Sequence, residues 1–313
     1  MILSVSRRTD IPAFYTEWFF RRLKAGFVLV RNPMNYHQVS KIVITPQLID
    51  CIVFWTKNPK NILPKLDLLS AYNYYFQITI NPYDNKIERY LPSKKEIINS
   101  FRTLSRTIGK EKTIWRYDPI ILTKEIDTAY HALNFELIAS KLEGYTDRCI
   151  ISFLDLYQKS ERNMKQIKLE TIKNTKMLEI AAILSKIADK YHIKIETCSE
   201  HMDFSPVGIE QGKCIDDRLL SKIVGQPLSI KKDINQREIC GCVTSIDIGA
   251  YNTCGHGCLY CYANYSDTAV KNNFLKHDPA SPMLVGNIEP EDRITERKMV
   301  SYLNKQQVLN FCD

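Results

Sequence analysis

Short apolar runs alternate with longer amphipathic ones along most of the chain. Ile2–Ser6, Cys51–Trp55, Tyr74–Ile80, Thr113–Tyr117, Cys149–Leu154, Ile193–Thr197 and Val243–Ile248 are apolar at nearly every position. That is the pattern of strands buried on both faces. Phe27–Val30 reads as an extra strand. Between these runs the apolar positions recur at helical spacing. Thr16–Ala25 places Trp18, Phe19 and Leu23 on one side and ends at Gly26, and Lys94–Ile108 carries Ile97, Ile98, Phe101, Leu104 and Ile108 ahead of Gly109. Asp127–Leu142 and Leu169–Lys190 follow the same rule. Repeated strand-then-helix units predict an α/β fold with a mainly parallel sheet. About seven units point to a TIM-like (β/α) barrel, complete or partial, with an open doubly wound sheet as the alternative.

A polar cluster follows nearly every strand: Ser6-Arg7-Arg8-Thr9-Asp10, Thr56-Lys57-Asn58-Pro59, Thr79-Ile80-Asn81-Pro82, Arg116-Tyr117-Asp118-Pro119, Ser152-Phe153-Leu154-Asp155 and Glu196-Thr197-Cys198-Ser199-Glu200. Carboxyl ends of parallel strands meet on one rim, where barrel active sites form. Arg7, Arg8, Lys57 and Arg116 there would present cations to a carboxylate or phosphate. Asp10, Asp118 and Asp155 would bind hydroxyls or amines, or move protons. The competing reading of each pair is a structural ion pair closing the mouth.

Composition narrows the class. Of 313 residues, 44% are apolar and 25% charged, which excludes a disordered or fibrous chain. No apolar run reaches membrane-spanning length, and no secretory leader opens the sequence. The expectation is a soluble, cytoplasmic protein. The net charge of +8 is spread along the chain without a basic block, so a solvated basic surface is favoured over a nucleic-acid partner. His131, His192 and His201 have no nucleophile–base pattern around them. No Ser-His-Asp arrangement, P-loop or Rossmann glycine fingerprint is present.

The ten cysteines change the picture. Cys51 and Cys149 lie in apolar runs and Cys312 at the tail, but the other seven fall between positions 198 and 261. In a reduced chain such clustering points to metal. The tightest group is Cys254-Gly-His-Gly-Cys258-Leu-Tyr-Cys261, spaced C-x3-C-x2-C after the last strand. Three thiolates from one loop can bind three irons of a 4Fe–4S cluster and leave the fourth open. Gly255 and Gly257 let the backbone wrap closely. The alternative is a zinc site completed by another cysteine or by His256, although His256 reads better as a loop residue.

With its aromatic Tyr260 just before the last cysteine, this motif resembles that of the radical S-adenosylmethionine enzymes. The resemblance implies a 4Fe–4S cluster on Cys254, Cys258 and Cys261, with S-adenosylmethionine chelated at the open iron. It implies reductive cleavage to a 5′-deoxyadenosyl radical and Tyr260 beside the adenine. A reducing partner such as flavodoxin or ferredoxin is then expected, with an unknown, anionic substrate. The motif lies in the last unit rather than the first, which implies a circularly permuted barrel. No Gly-Gly-Glu is found to hold the methionine group, and Glu196 and Glu200 are the acidic candidates. More specifically, Ser6 to Tyr15, Phe54 to Pro59, Trp115 to Ile120 and Asp247 to Cys254 resemble the uncharacterised bacterial and archaeal family named domain of unknown function 1848, up to about Asn264.

Cys198, Cys214, Cys240 and Cys242 are spaced C-x15-C-x25-C-x-C and could close on one metal, either a second 4Fe–4S cluster or zinc. The bland alternative is buried thiols. The expected organisation is barrel units over 1–197, a cysteine-rich cluster-binding unit over 198–264 that completes the barrel, and a polar extension over 265–313 ending in a short helix. Two other functional classes stay open. One is a zinc-binding regulatory or nucleic-acid-binding protein, and the other is an iron–sulfur protein that only transfers electrons.

Overall fold

A computed structural model of the chain describes residues 1–155 and 163–303. In chain order the elements are β1 (Ile2–Val5), α1 (Ile11–Phe14), α2 (Thr16–Ala25), β2 (Phe27–Asn32), β3 (Asn35–Val43), β4 (Cys51–Thr56), β5 (Tyr74–Thr79), α3 (Lys94–Ile108), β6 (Thr113–Ile120), α4 (Thr128–Leu142) and β7 (Arg148–Phe153). They continue with α5 (Asn174–Lys190), β8 (Lys194–Thr197), β9 (Glu210–Gln211), α6 (Asp217–Val224), β10 (Ile246–Asp247), α7 (Asp267–Leu275) and β11 (Arg293–Glu296).

Eight strands form one parallel sheet in the order β10-β1-β4-β5-β6-β7-β8-β9. Strand alternation sorts its side chains onto two faces. Leu3, Phe54, Phe76, Trp115 and Ile151 pack with Phe19, Phe101, Phe135 and Leu184 of the crossover helices. On the other face Ile2, Val53, Tyr75, Ile114 and Ile150 pack with Cys214, Ile215, Leu220, Cys240, Cys242 and Val243. The segment between β8 and β10 therefore fills the face that the helices leave, which is why these strands are apolar on both sides.

The sheet does not close. Among the described residues β9 and β10, two residues each, end it without pairing to one another. The expected strand Val243–Ile248 is cut to Ile246–Asp247 because Val243 bridges to Lys232 and Thr244 donates to the Lys231 carbonyl. The helix expected from Leu169 begins only at Asn174, because Leu169 bridges to Thr123. A second sheet, β11-β3-β2, combines the foreseen Phe27–Val30 strand with two that the apolar pattern does not mark. β11 is exposed throughout and β3 over its first four residues, burying only Val39 and Ile42, so neither shows an alternating apolar stripe.

The extension packs outside the large sheet. Trp18 Nε1 donates to the Ser281 carbonyl at 3.0 Å, and Phe274 of α7 stacks on Tyr15. The stretch assigned to a terminal helix begins in β11. Its remainder from 304 onward, with Cys312, lies outside the described residues. No helix among the described residues is long and apolar enough to cross a membrane.

Candidate functional site

The polar clusters after the strands converge on one cavity of about 490 Å³. Arg7, Arg8, Asp10, Lys57, Arg116, Asp118 and Asp155 all line it, as do Tyr260 and the seven clustered cysteines. Glu196 and Glu200 do not. Glu196 is buried in an ion pair with Arg148, which also reaches Asp216 at 3.1 Å. Glu200 lies behind the wall, where its Oε1 accepts from the Phe153 amide at 2.8 Å.

The C-x3-C-x2-C loop is anchored to both ends of the chain's first unit. Asp247 in β10 accepts from Ser4 Oγ at 2.8 Å, Ser6 Oγ at 2.6 Å, the Arg7 amide at 2.7 Å and the Gly249 amide at 3.0 Å. A Cβ on Gly249 would stand 2.0 Å from Ser6 Oγ, so only glycine fits there. Tyr15 Oη then donates to the Thr253 carbonyl at 2.6 Å, just ahead of Cys254. Asn264 closes the loop by donating to the Cys254 carbonyl at 2.5 Å and accepting from its amide at 3.4 Å. Gly257 has φ +65°, and a Cβ there would meet the Tyr90 ring at 2.6 Å.

Charged groups surround this loop. Asp10 caps α1 through Ala13, accepts from the Lys57 amide at 2.7 Å and lies 2.7 Å from His256 Nε2. His256 is buried against the Phe14 ring, and its Nδ1 has no hydrogen-bond partner. Glu88, bridged to Cys258 through the backbone, holds Lys57 at 2.9 Å, Lys94 and the Tyr260 hydroxyl. Burial alone would raise Glu88, but the two ammonium groups outweigh it and lower its carboxyl to about 2. Burial pushes the Cys258 thiol up to about 12 despite Lys57 nearby, and raises Cys254 and Cys261 as well. Without a cation such thiols stay protonated, and a metal would be needed to ionise them.

The other four cysteines also meet. Cys198 Sγ lies 2.9 Å from Cys214 Sγ, which accepts from Arg116 Nη1 at 2.7 Å. Cys242 interacts with both Cys214 and Cys240, so the four thiols neighbour one another. The Cys214 carbonyl accepts from Tyr75 Oη at 2.7 Å and from Gln77 Nε2, which fixes its turn against the sheet. The hydrogen bond with Cys242 lowers Cys240 to about 6. Cys214 is lowered by Cys198, but Cys242 and burial together raise it to about 11.

Among the cations, Lys57 is matched by Glu88 and Arg116 by Asp118, whose other oxygen accepts from Ser152. Asp155 pairs with Arg237. Arg7 reaches Ser245 Oγ at 3.1 Å, and Arg8 stands over the Tyr251 ring. Glu88, Lys94, Asp247 and Arg148 belong to the site or its wall without a pattern in the chain that marks them. Glu88 and Lys94 lie in and after a connection without strand or helix periodicity. Asp247 opens the stretch to Cys254 that carries the family resemblance, and Gly249 two residues on is the available signal.

The fold and site define a parallel α/β protein with a cysteine-lined cavity at the carboxyl ends of its strands. The chain belongs to the family described as domain of unknown function (DUF1848), whose sequence profile matches residues 2–263. No curated protein matches it. Among solved structures, a candidate alpha-L-fucosidase from Bacteroides thetaiotaomicron VPI-5482 is similar over 57% of this chain and 74% of its own, at 15% identity and a TM-score of 0.25.

Proposed function

We propose that this chain is an iron–sulfur enzyme of the radical S-adenosylmethionine type. The observation that supports it most is that the thiols of Cys254, Cys258 and Cys261 open on the same cavity as the rim's Arg, Lys and Asp side chains. The donor set fits a cluster better than a lone ion. Thiolates around one zinc stand about 3.8 Å apart. Among the described residues the one group of three or more ligand atoms all within 4.8 Å of one another is His37, Glu289 and Glu291, with no cysteine in it. Gly255 and Gly257 give the loop room, since a Cβ on either would strike an aromatic ring.

Bound by these three thiolates, a 4Fe–4S cluster would supply the electron that cleaves S-adenosylmethionine reductively. The chain's own groups prepare the site. Glu88 holds Tyr260 by its hydroxyl while Lys57 stands 5.3 Å over the ring, which sets that ring for an adenine. Arg7 and Arg8 supply positive charge for an anionic substrate or for the methionine carboxylate. We read the open sheet as part of a (β/α) barrel whose interior is taken by the segment before β10. The nine described cysteines are free thiols, in keeping with a reducing cytoplasm and a flavodoxin- or ferredoxin-like electron donor.

The test is anaerobic reconstitution, quantification of iron, sulfide and zinc, and a dithionite-dependent assay for 5′-deoxyadenosine. Iron and sulfide together with 5′-deoxyadenosine are expected. Zinc alone with no nucleoside product would overturn the reading.

A further inference from the structure

We propose that Cys198, Cys214, Cys240 and Cys242 form a second metal centre in the same cavity, an iron–sulfur cluster bound entirely by thiolates. Three separate segments supply the four sulfurs: the end of β8, the turn after β9 and the loop ahead of β10. Ordinary packing does not require thiols to meet end to end, yet Cys198 and Cys214 stand 2.9 Å apart and Cys242 joins Cys214 to Cys240.

The surroundings are arranged for anionic sulfur. Arg116 Nη1 points at Cys214 Sγ from 2.7 Å, and the Ile215 amide donates to Cys242 Sγ at 3.4 Å. Arg116 is itself held by Gln77 at 3.0 Å and by Asp118, so the guanidinium is set before any ligand arrives. Tyr75 and Gln77, both fully buried in β5, anchor the Cys214 carbonyl. Tyr75 also packs among the apolar neighbours of this face, but Gln77 and Arg116 bring polar groups to the sulfurs that apolar packing alone does not call for. No three of these sulfurs lie mutually within 4.8 Å, so the four are not drawn together as the ligands of one tetrahedral zinc are. A cubane would hold the four sulfurs at the corners of a tetrahedron, so Cys198 and Cys214, 2.9 Å apart here, would part as it enters.

With a thiolate on every iron, this cluster offers no open iron to a substrate. Its role is one-electron transfer. Held by these four thiolates, such a cluster would take single electrons from a flavodoxin- or ferredoxin-like donor and relay them toward the thiols of Cys254, Cys258 and Cys261 in the same cavity. That role rests on the proposed function, whereas the site itself does not.

The experiment compares the anaerobically reconstituted wild-type chain with Cys198→Ser, Cys240→Ser and Cys258→Ala, reading iron, sulfide, zinc and electron paramagnetic resonance after dithionite. Far-UV circular dichroism checks that each variant is folded. Wild type is expected to hold about eight irons. Either serine variant should lose about half, and Cys258→Ala about half of a spectroscopically different kind. The site stands on its own if Cys258→Ala keeps a serine-sensitive cluster even where no 5′-deoxyadenosine is ever formed. Wild type with about four irons, unchanged in both folded serine variants, would overturn it. So would one zinc lost on Cys198→Ser, or a Cys198–Cys214 disulfide in the reconstituted protein.

Discussion

The loop that gathers Cys254, Cys258 and Cys261 spans eight consecutive residues, whereas Cys198, Cys214, Cys240 and Cys242 reach the same cavity from three segments separated by a strand and a helix. The first group is positioned by its own backbone, through glycines, the Asn264 clasp and the Asp247 network. The second is positioned by the sheet, through Tyr75, Gln77 and Arg116 on the inner face. A ligand set made by a loop survives as a sequence spacing. A ligand set made by a sheet face exists only once the sheet has formed.

The comparison breaks most sharply at the thiols. Cys258→Ala is expected to abolish 5′-deoxyadenosine formation and remove the iron of its loop while leaving the other four cysteines competent for metal. Product and iron assays read both. Retention of full iron and full turnover would end the assignment of the loop.

Next in size is the carboxylate that serves the first loop. Glu88→Gln leaves Lys57 and Lys94 without their shared partner and is expected to cost about 3–5 kcal/mol in urea unfolding at pH 7. The pH dependence has a definite sign. Glu88 is lowered to about 2, so its contribution is present above the usual 4.5 and disappears as pH falls toward 2. Wild type should lose this contribution over that window and the Gln variant should not. An equal acid sensitivity in both would separate Glu88 from its ion pairs.

The glycines give a smaller and more pointed contrast. Gly257→Ala meets both a positive φ and the Tyr90 ring, and should destabilise by about 1–3 kcal/mol. Gly241→Ala, between Cys240 and Cys242, meets only the movable side chain of Lys213 at 3.1 Å and should stay within about 0.5 kcal/mol. Equal costs would mean that the second loop is as tightly wound as the first.

The smallest effect lies beside the second group, at Glu200. Its carboxyl is raised to about 7, chiefly by burial, so the folded state holds a proton that the unfolded chain releases near 4.5. Stability from this group is present below 4.5 and is lost as pH rises through about 7. Glu200→Gln keeps an acceptor for the Phe153 amide and should flatten the wild-type decline between pH 5 and 8, read from thermal midpoints at each pH. A steeper decline in the variant would reverse the assigned direction.

These contrasts parallel what was legible in the chain. Strands at Cys51, Tyr74, Thr113 and Cys149 were visible because burial on both faces leaves unbroken apolar runs. β3 and β11 were not, since they are held by each other's backbone and show mostly polar side chains. The rim residues Arg7 to Asp10 and Lys57 are legible from their position after strands, whereas Arg116 and Asp118, expected at a strand end, lie inside β6, which runs on to Ile120. Glu196 shared that position, but its pairing with Arg148 takes it away from the cavity. Strand position specifies which end of the sheet a residue occupies, and the partner on the next strand decides whether it turns inward or away. Glu88 lies in a connection with no periodicity to read, and its role depends on Lys57 and Lys94 converging from two directions.

The hydrogen bonds from Ser4 and Ser6 to Asp247, with β1 lying between β10 and β4, have a consequence for how the protein comes into being. A ribosome releases β1 some 240 residues before the strand that pairs with its other edge. During that interval the nascent sheet keeps an exposed border at β1, and the cavity has only one wall. The rim cavity therefore has no complete lining until synthesis has passed Ala263, so whatever it holds can be enclosed only after that point.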